Sequence, residues 1–181
     1  MCLELRDLVT GCGSANPPGI EVRLYITHKD NIDVFPERKA ASATIAGESA
    51  KLDGDITLLP NKKWSIFDIV TDTGEVKDTL VGSAGSKAWE SLLEGVIPTT
   101  GPEVIEWFEC NANGCLVVLA KEKSGVVRVL GSKLVPAILE SAEATTGKTT
   151  GDTHGVTLTI KSTTGLMASV YEGVIDLDAT T

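Results

Sequence analysis

The stretch CLVVLAKEKSGVVRVLGS (residues 115–132) decides the fold class, because it holds two apolar runs separated by a turn. The first run, CLVVLA (115–120), contains no charged or hydroxyl side chain, which is typical of a strand covered on both faces. KEKSG follows as a turn, and VVRVLG (126–131) returns. The spacing predicts an antiparallel hairpin.

Downstream of this hairpin the chain reads as β to its end. In VTLTIKS (156–162) apolar residues alternate with polar ones, so one face points inward and the other outward. The predicted inward residues are Val156, Leu158 and Ile160, and the outward ones are Thr157, Thr159 and Lys161. GDTHG (151–155) and TTG (163–165) are predicted turns, the second leading into LMASVYEGVIDL. LVPAILESAEA (134–144) is a predicted strand that Pro136 places at an edge or a bulge.

Upstream, the segments Ile20–Thr27 and Trp64–Thr71 are predicted strands. TDTG (71–74) then reads as a turn, after which VKDTLVG is expected to pair back. The intervening segment 28–54 is polar and weakly patterned, with a short strand at 43–47 as one reading. A loop of this length is unusual in a compact domain, so the segment is either an interaction surface or unrecognised structure.

Between these regions lie one ambiguous element and one clear helix. SKAWESLLEGVI (86–97) fits either a helix face or a strand, and we favour a strand because Pro98 and a sheet-rich context surround it. The helix is predicted from Pro102 to Ala112, with Thr100 at the N-cap or just before it and a left-handed stop at Asn113 and Gly114. Its predicted core face is Val104, Ile105, Phe108 and Ala112, and its predicted solvated face is Glu103, Glu106 and Glu109.

These elements predict a mainly β protein, an antiparallel β-sandwich or barrel with one flanking α-helix. Its 20 threonines and 18 glycines, beside only 4% aromatic residues, suit pleated surfaces and turns. We expect an N-terminal arm at 1–19, where GCGSANPPG interrupts regular structure, a single domain at 20–176 and a tail at 177–181.

The charge of the chain limits its partners. With 25 acidic and 16 basic residues among 181, the net charge is -9, which argues against a dedicated nucleic-acid binder. No apolar run approaches the roughly 20 residues that span a bilayer, and MCLELRDLV lacks the pattern of a secretory signal. A disulfide framework is therefore not expected, although pairing of Cys2 with Cys12, or of Cys110 with Cys115, stays open; the latter two read as small core residues.

No catalytic or cofactor motif passes its own structural test. AEATTGKT (142–149) matches a permissive phosphate-loop pattern, but the following TGDTHG cannot open the helix that this chemistry needs. His28 and His154 lie beside turn residues and are expected to be solvated. Cysteine spacing does not fit zinc. We therefore expect no enzyme activity, no cofactor and no metal site.

Three stretches together resemble a known family. They are GIEVRLYI (19–26), LLEGVIP (92–98) with the helix and hairpin that follow it, and TTGKTTGDTHGVTLTIKSTTGLMASVYEG (145–173). In order and layout they resemble the tail tube (major tail) proteins of long-tailed bacteriophages, particularly those infecting Bacteroidetes. The resemblance spans roughly residues 18–175.

The resemblance implies a virion structural protein that assembles into hexameric rings. In that family the rings stack into a tube, and genomic DNA passes through its lumen without specific binding. The implied partners are other copies of the chain, the tail terminator and the baseplate or hub components, with no membrane. The implied location is the virion tail, assembled in the host cytoplasm. Another virion structural protein, such as a capsid decoration or head–tail connector module, is the alternative.

Tube proteins of this kind contact the next ring through an extended hairpin. The segment 71–86 is most similar to it, with the candidate stacking residues Thr73, Gly74, Val76, Thr79, Leu80 and Val81. Apolar residues on such a loop are explained by burial against a partner, although a plain hairpin folded onto its own sheet explains them equally. On the first reading, deleting residues 74–82 leaves a folded protein that forms single rings but no tubes.

Overall fold

The computed structural model describes residues 17–41, 45–149, 151–152 and 154–177. The strands, in chain order, are β1 Ile20–His28, β2 Ile32–Val34, β3 Thr57–Leu58, β4 Ser65–Asp68, β5 Glu75–Ser83, β6 Ser86–Ile97, β7 Leu116–Glu122, β8 Val127–Leu130, β9 Ile138–Thr145, β10 Gly155–Thr164 and β11 Ser169–Tyr171. The helix α1 is Pro102–Asn111, and short 3-10 turns lie at Lys29–Asn31 and Glu48–Ala50. The expected arm and C-terminal tail, with Cys2 and Cys12, lie almost wholly outside the described residues.

Two antiparallel sheets form the body of the protein. Sheet A has the strand order β11-β8-β7-β1-β4, and sheet B has the order β5-β6-β10-β9. Between them lies a core that includes Leu24 and Val118 from sheet A and Leu93, Leu158 and Ile160 from sheet B. The predicted mainly β sandwich with one flanking helix is therefore confirmed. The inward residues predicted for β10 are buried, as its alternation required.

The central strand β7 is covered on both faces. Residues 116–120 are all buried, as the unbroken apolar run predicted. Val118 faces sheet B, whereas Val117 and Leu119 face a second cluster on the other side of sheet A. That second cluster is built largely by Ile32, Leu52, Ile56 and Trp64. The weakly patterned segment after β1 is thus unrecognised structure that covers the outer face of sheet A.

Three expectations about strands between β1 and β10 were wrong in whole or in part. Ile45–Gly47 form a bend and a turn rather than a strand, and residues 43–44 lie outside the described part of the chain. β5 pairs along its whole length with β6, whereas it was expected to pair with the predicted strand Trp64–Thr71, which contains β4. The predicted strand at 134–144 begins only at Ile138, because Ala137 pairs with Leu116 of β7 instead. β9 is nevertheless an edge strand, as Pro136 indicated.

The helix begins and ends close to its predicted bounds, but its core face is rotated. Val104, Trp107 and Phe108 pack on the core, whereas Ile105 is 48% exposed, so the prediction for Ile105 was wrong. The Trp107 ring takes the inward place and makes edge contacts with Phe67 and Phe108 at centroid distances of 4.7 and 5.1 Å. Glu103, Glu106 and Glu109 are exposed, as predicted, and so is Ala112, against prediction.

The end of the helix also differs from expectation. Neither Asn113 nor Gly114 adopts a left-handed conformation. The space at Gly114 is instead tight, since a Cβ there would lie 3.1 Å from the Asn111 carbonyl oxygen and 3.2 Å from Cε1 of His28. His28 is half-buried rather than solvated, with Nε2 2.5 Å from Oδ1 of Asn111. Cys110 and Cys115 are free thiols, and Cys110 is exposed rather than part of the core.

Trp64→Ala tests whether the residues that cover the outer face of sheet A, such as Ile32, Leu52 and Trp64, unfold together with the rest of the protein. Trp64 is 2% exposed, so we expect Trp64→Ala to lower the free energy of unfolding by about 3–5 kcal/mol in urea titrations. Ile66→Ala is the control, since Ile66 is 44% exposed and should cost about 1 kcal/mol or less. If Trp64→Ala lowered the free energy of unfolding no more than Ile66→Ala does, the residues that cover sheet A would unfold separately from it.

The rotated helix face gives a second test. Trp107 is half-buried against Phe67 and Phe108, so Trp107→Ala should lower the free energy of unfolding by about 2–3 kcal/mol, below the cost for a fully buried ring. Ile105→Ala should cost about 0.5 kcal/mol, as exposed substitutions do. If Ile105→Ala lowered the free energy of unfolding more than Trp107→Ala does, the core face predicted from the sequence would be the correct one.

Candidate assembly surface

Sheet B ends in two strands that each lack a second neighbour in the described structure. β5 pairs only with β6, and β9 pairs only with β10. Every unpaired edge presents backbone N–H and C=O groups that another chain can bind. Most residues of both strands are exposed, although the side chain of Asp78 on β5 is buried. Sheet B is therefore open at both sides, which makes its edges the first candidate for an interaction surface.

The outer face of sheet B is mainly polar, although Leu92 and Ile138 also point outward. Because Leu93 and Ile160 point into the core, their neighbours Glu90, Glu94 and Thr157 point away from it. By the same alternation the outward residues include the carboxylates of Glu75, Glu90, Glu94 and Glu143 and the ammonium groups of Lys77 and Lys161. None of these side chains is buried. This face is hydrated, with more negative than positive charge.

One lysine on this face is held by two carboxylates. Nζ of Lys161 lies 2.9 Å from Oε2 of Glu90 and 3.8 Å from Oε1 of Glu140. The hydrogen bond to Glu90 raises the pKa of Lys161 above its ordinary value, so the ammonium group stays charged. The three residues come from β6, β10 and β9, and they fasten adjacent strands of the sheet on its outer surface.

The predicted stacking residues at 73–76 have structural roles. Thr73 donates from Oγ1 to the carbonyl of Val70 at 2.7 Å and accepts from the amide of Val96 at 3.3 Å. Gly74 has no room for a side chain, since a Cβ would lie 2.4 Å from the side chains of Ile20 and Ile69. Val76 packs against the core between the sheets.

The remaining candidates lie in the outer half of β5. Thr79 and Leu80 are exposed and Val81 is half-buried. The hairpin itself is β5–β6, with its turn at Ala84–Gly85, so segment 71–86 supplies one arm rather than a whole hairpin. Deleting residues 74–82 would remove most of this strand, and we no longer expect the shortened chain to fold.

A buried ion pair joins the two sheets close to the hairpin. The carboxylate of Asp78, whose side chain is 4% exposed, accepts a hydrogen bond from the guanidinium of Arg128 on β8. Ser91 also donates to Asp78, and the amide of Ala168 lies 3.3 Å from its Oδ1. Sequence reasoning missed this group. In the sequence, this ion pair is indicated by the acidic residue Asp78 at an inward-facing position between Val76 and Leu80.

Next to this ion pair an apolar cleft of about 760 Å³ opens between the sheets. Ser91 and Ser162 of sheet B line it, together with Leu130 of sheet A. Leu134 and Leu166 lie at its mouth and are 93% and 56% exposed. Large apolar side chains clustered around a concave surface are typical of an interaction site. The cleft is thus a second feature that the sequence did not reveal.

Arg38 closes one side of the cleft. Its Nε donates to Oγ of Ser169 at 2.9 Å, and its Nη2 donates to the carbonyl of Met167. Burial lowers the pKa of Arg38, and the nearby Arg128 lowers it further. These contacts hold the loop between β10 and β11 against the segment that follows β2.

The phosphate-loop pattern has no anion site in the structure. The amides of Lys148 and Thr149 both donate to Oδ2 of Asp152, each at 2.8 Å. These hydrogen bonds lower the pKa of Asp152, which keeps the carboxylate charged. The amides that a phosphate would need are therefore already occupied by a side chain, and no helix follows in the described residues.

The Asp78–Arg128 pair provides a test of the inter-sheet connection. Asp78→Ala leaves a largely buried guanidinium without its partner, so we expect the free energy of unfolding to fall by about 3–5 kcal/mol in urea. The control is Asp68→Ala, which removes the exposed pair with Arg23 and should cost about 0.2–1 kcal/mol. If both variants lost the same small amount, Asp78 would not be needed to hold the sheets together.

Comparison with known protein families, curated proteins and solved structures finds no match. Among the described residues no group of His, Cys, Asp and Glu side chains is arranged to hold a metal ion. None of the helices described is long and apolar enough to cross a membrane.

Proposed function

We propose that the protein is a virion structural protein whose copies join into stacked rings, hexameric as in the family it resembles, and form the tail tube of a long-tailed bacteriophage. The observation that carries this proposal is the open sheet B, whose two edge strands β5 and β9 each lack a partner on the outer side in the described structure.

The strand directions in sheet B allow copies to continue one another. All three pairings in the sheet are antiparallel, so β5 and β9 run in opposite directions. β9 of one copy can therefore pair with β5 of the next in the same antiparallel pattern. This contact joins two different surfaces, and repeated contacts of this type produce rings when the rotation closes. Closure removes every free edge of the sheet.

The polar outer face of sheet B suits the lining of a DNA channel. Carboxylates outnumber ammonium groups on it, and threonines such as Thr157 and Thr159 keep it hydrated. Attraction between proteins and DNA depends on neutralising phosphates with basic side chains. An acidic, hydrated wall repels phosphates, so DNA can slide past without sticking. The net charge of -9 acts in the same direction.

On this proposal the partners are other copies of the chain, followed by the tail terminator and baseplate or hub components at the two ends of the tube. The location is the virion tail after assembly in the host cytoplasm. Neither catalysis nor a cofactor forms part of this role, and DNA is a passing cargo rather than a bound ligand.

Blocking the β9 edge tests the proposal. Glu140 is the extra residue of a bulge in β9, because Ser141 pairs with Thr159 and Leu139 with Ile160. Proline is tolerated at edge bulges, yet it removes an N–H group and opposes further pairing. We expect Glu140→Pro to remain folded and to stay monomeric, whereas the wild-type chain forms rings and tubes in light scattering and negative-stain microscopy at high concentration.

The matched control is Glu140→Ala, which removes the same carboxylate but keeps the backbone N–H. It should assemble as the wild-type chain does. A strictly monomeric or trimeric wild-type chain would overturn the proposal, and a trimer would favour a capsid decoration module. Assembly of Glu140→Pro at the wild-type level would show that copies do not join through this edge.

A further inference from the structure

At one corner of sheet B, strand β9 is shorter than its neighbour β10. The last row of paired residues that includes β10 runs across Leu80, Trp89 and Thr164 on β5, β6 and β10. β9 does not extend to this row, since it begins at Ile138 opposite Lys161. One side of the row therefore ends in β5, and the other ends in a notch beside β10.

Exposed leucine side chains lie at or near both ends of this row. Leu80 is 45% exposed at the β5 end and points to the inner side of the sheet, the side of Val76 and Asp78. At the notch, Thr164 lines the apolar cleft, and Leu134 at the mouth of the cleft is 93% exposed. Covering such a side chain with a partner is favourable, because it removes apolar surface from water.

We propose that Leu80 of one copy packs into the cleft of the adjacent copy in the same ring, against Leu134. The inference rests on the proposed edge-to-edge assembly. When β5 of the neighbour continues the sheet beyond β9 in register, its Leu80 lies at the level of Thr164, on the inner side where the cleft opens. The end of the β5–β6 hairpin then fills the notch that the short β9 leaves. The occupant of the cleft is a second copy of this chain.

The chemistry of the two surfaces agrees with this arrangement. The end of the hairpin, from Thr79 to Trp89, carries no acidic residue and one basic residue, Lys87. The cleft is bordered by the exposed carboxylates of Asp33 and Glu37 and by the basic side chains of Arg38 and Lys133. An apolar contact at the centre is thus surrounded by a polar, charged rim, which is the usual composition of a specific interface.

A mixing experiment tests the contact. Leu80→Asp and Leu134→Lys each alter one side of it, and both positions are exposed enough for the monomer to fold, which circular dichroism would verify. Each variant alone should fail to form rings, because every interface contains one altered side. An equimolar mixture should restore rings. In a ring with an even number of copies, interfaces between two unaltered leucines alternate with interfaces between aspartate and lysine.

The control is Ile105→Asp, which adds the same charge at an equally exposed residue of α1 and should assemble normally. Rings formed by either single variant, or an inactive mixture beside an assembling wild-type chain, would overturn this contact and leave edge-to-edge assembly standing. Loss of assembly in the control would overturn it too, since charge alone would then explain the defect. A wild-type chain that never assembles would overturn both inferences.

Discussion

The burial of β7 on both faces is the constraint on which the rest of the structure depends. Residues 116–120 are fully apolar and lie in the middle of sheet A, so each face of that sheet needs a cover. Sheet B and α1 provide one cover, and the segment after β1 provides the other. Burial of apolar surface is the main favourable term in folding. The two covers therefore follow from one run of sequence, and each cover has its own apolar face turned toward sheet A.

Beyond the edge of the apolar core, a buried ion pair connects the two sheets. The inward row of sheet B changes from Leu93 and Ile160 to Ser91 and Ser162, next to Asp78. Arg128 reaches Asp78 from sheet A. A buried ion pair contributes little net stability, but loss of one partner is costly, and such groups can favour a single arrangement over others. In this protein the pair fixes the β5–β6 hairpin relative to sheet A, beside the mouth of the cleft.

Local pattern was sufficient to predict some elements from sequence and insufficient for others. The β7–β8 hairpin and the alternation of β10 depend on neighbours in sequence, and both were predicted. The cover of sheet A was missed because Ile32, Leu52, Ile56 and Trp64 contact β7 from irregular spacings, with no period of two or 3.6 to detect. The helix face was rotated because Trp107 competes with Ile105 for the inward position, which the spacing of smaller apolar residues does not reveal. The cleft arises from segments distant in sequence, so no local motif marks it.

The polarity of sheet B limits how copies of the protein can join. Two sheets pack face to face through apolar side chains, whereas the outer face of sheet B carries mostly carboxylates, lysines and threonines, with Leu92 and Ile138 interspersed among them. Its inner face is already occupied by sheet A. Like β4 at the edge of sheet A, the edge strands β5 and β9 have no strand partner on their outer sides in the described structure, and both lie in the plane of sheet B. Association that satisfies them must extend the sheet sideways, and the natural twist of adjacent strands curves such an extension. A curved sheet that grows from identical units satisfies all its edges only by closing on itself, with its hydrated acidic face on one side and the sandwich cores on the other.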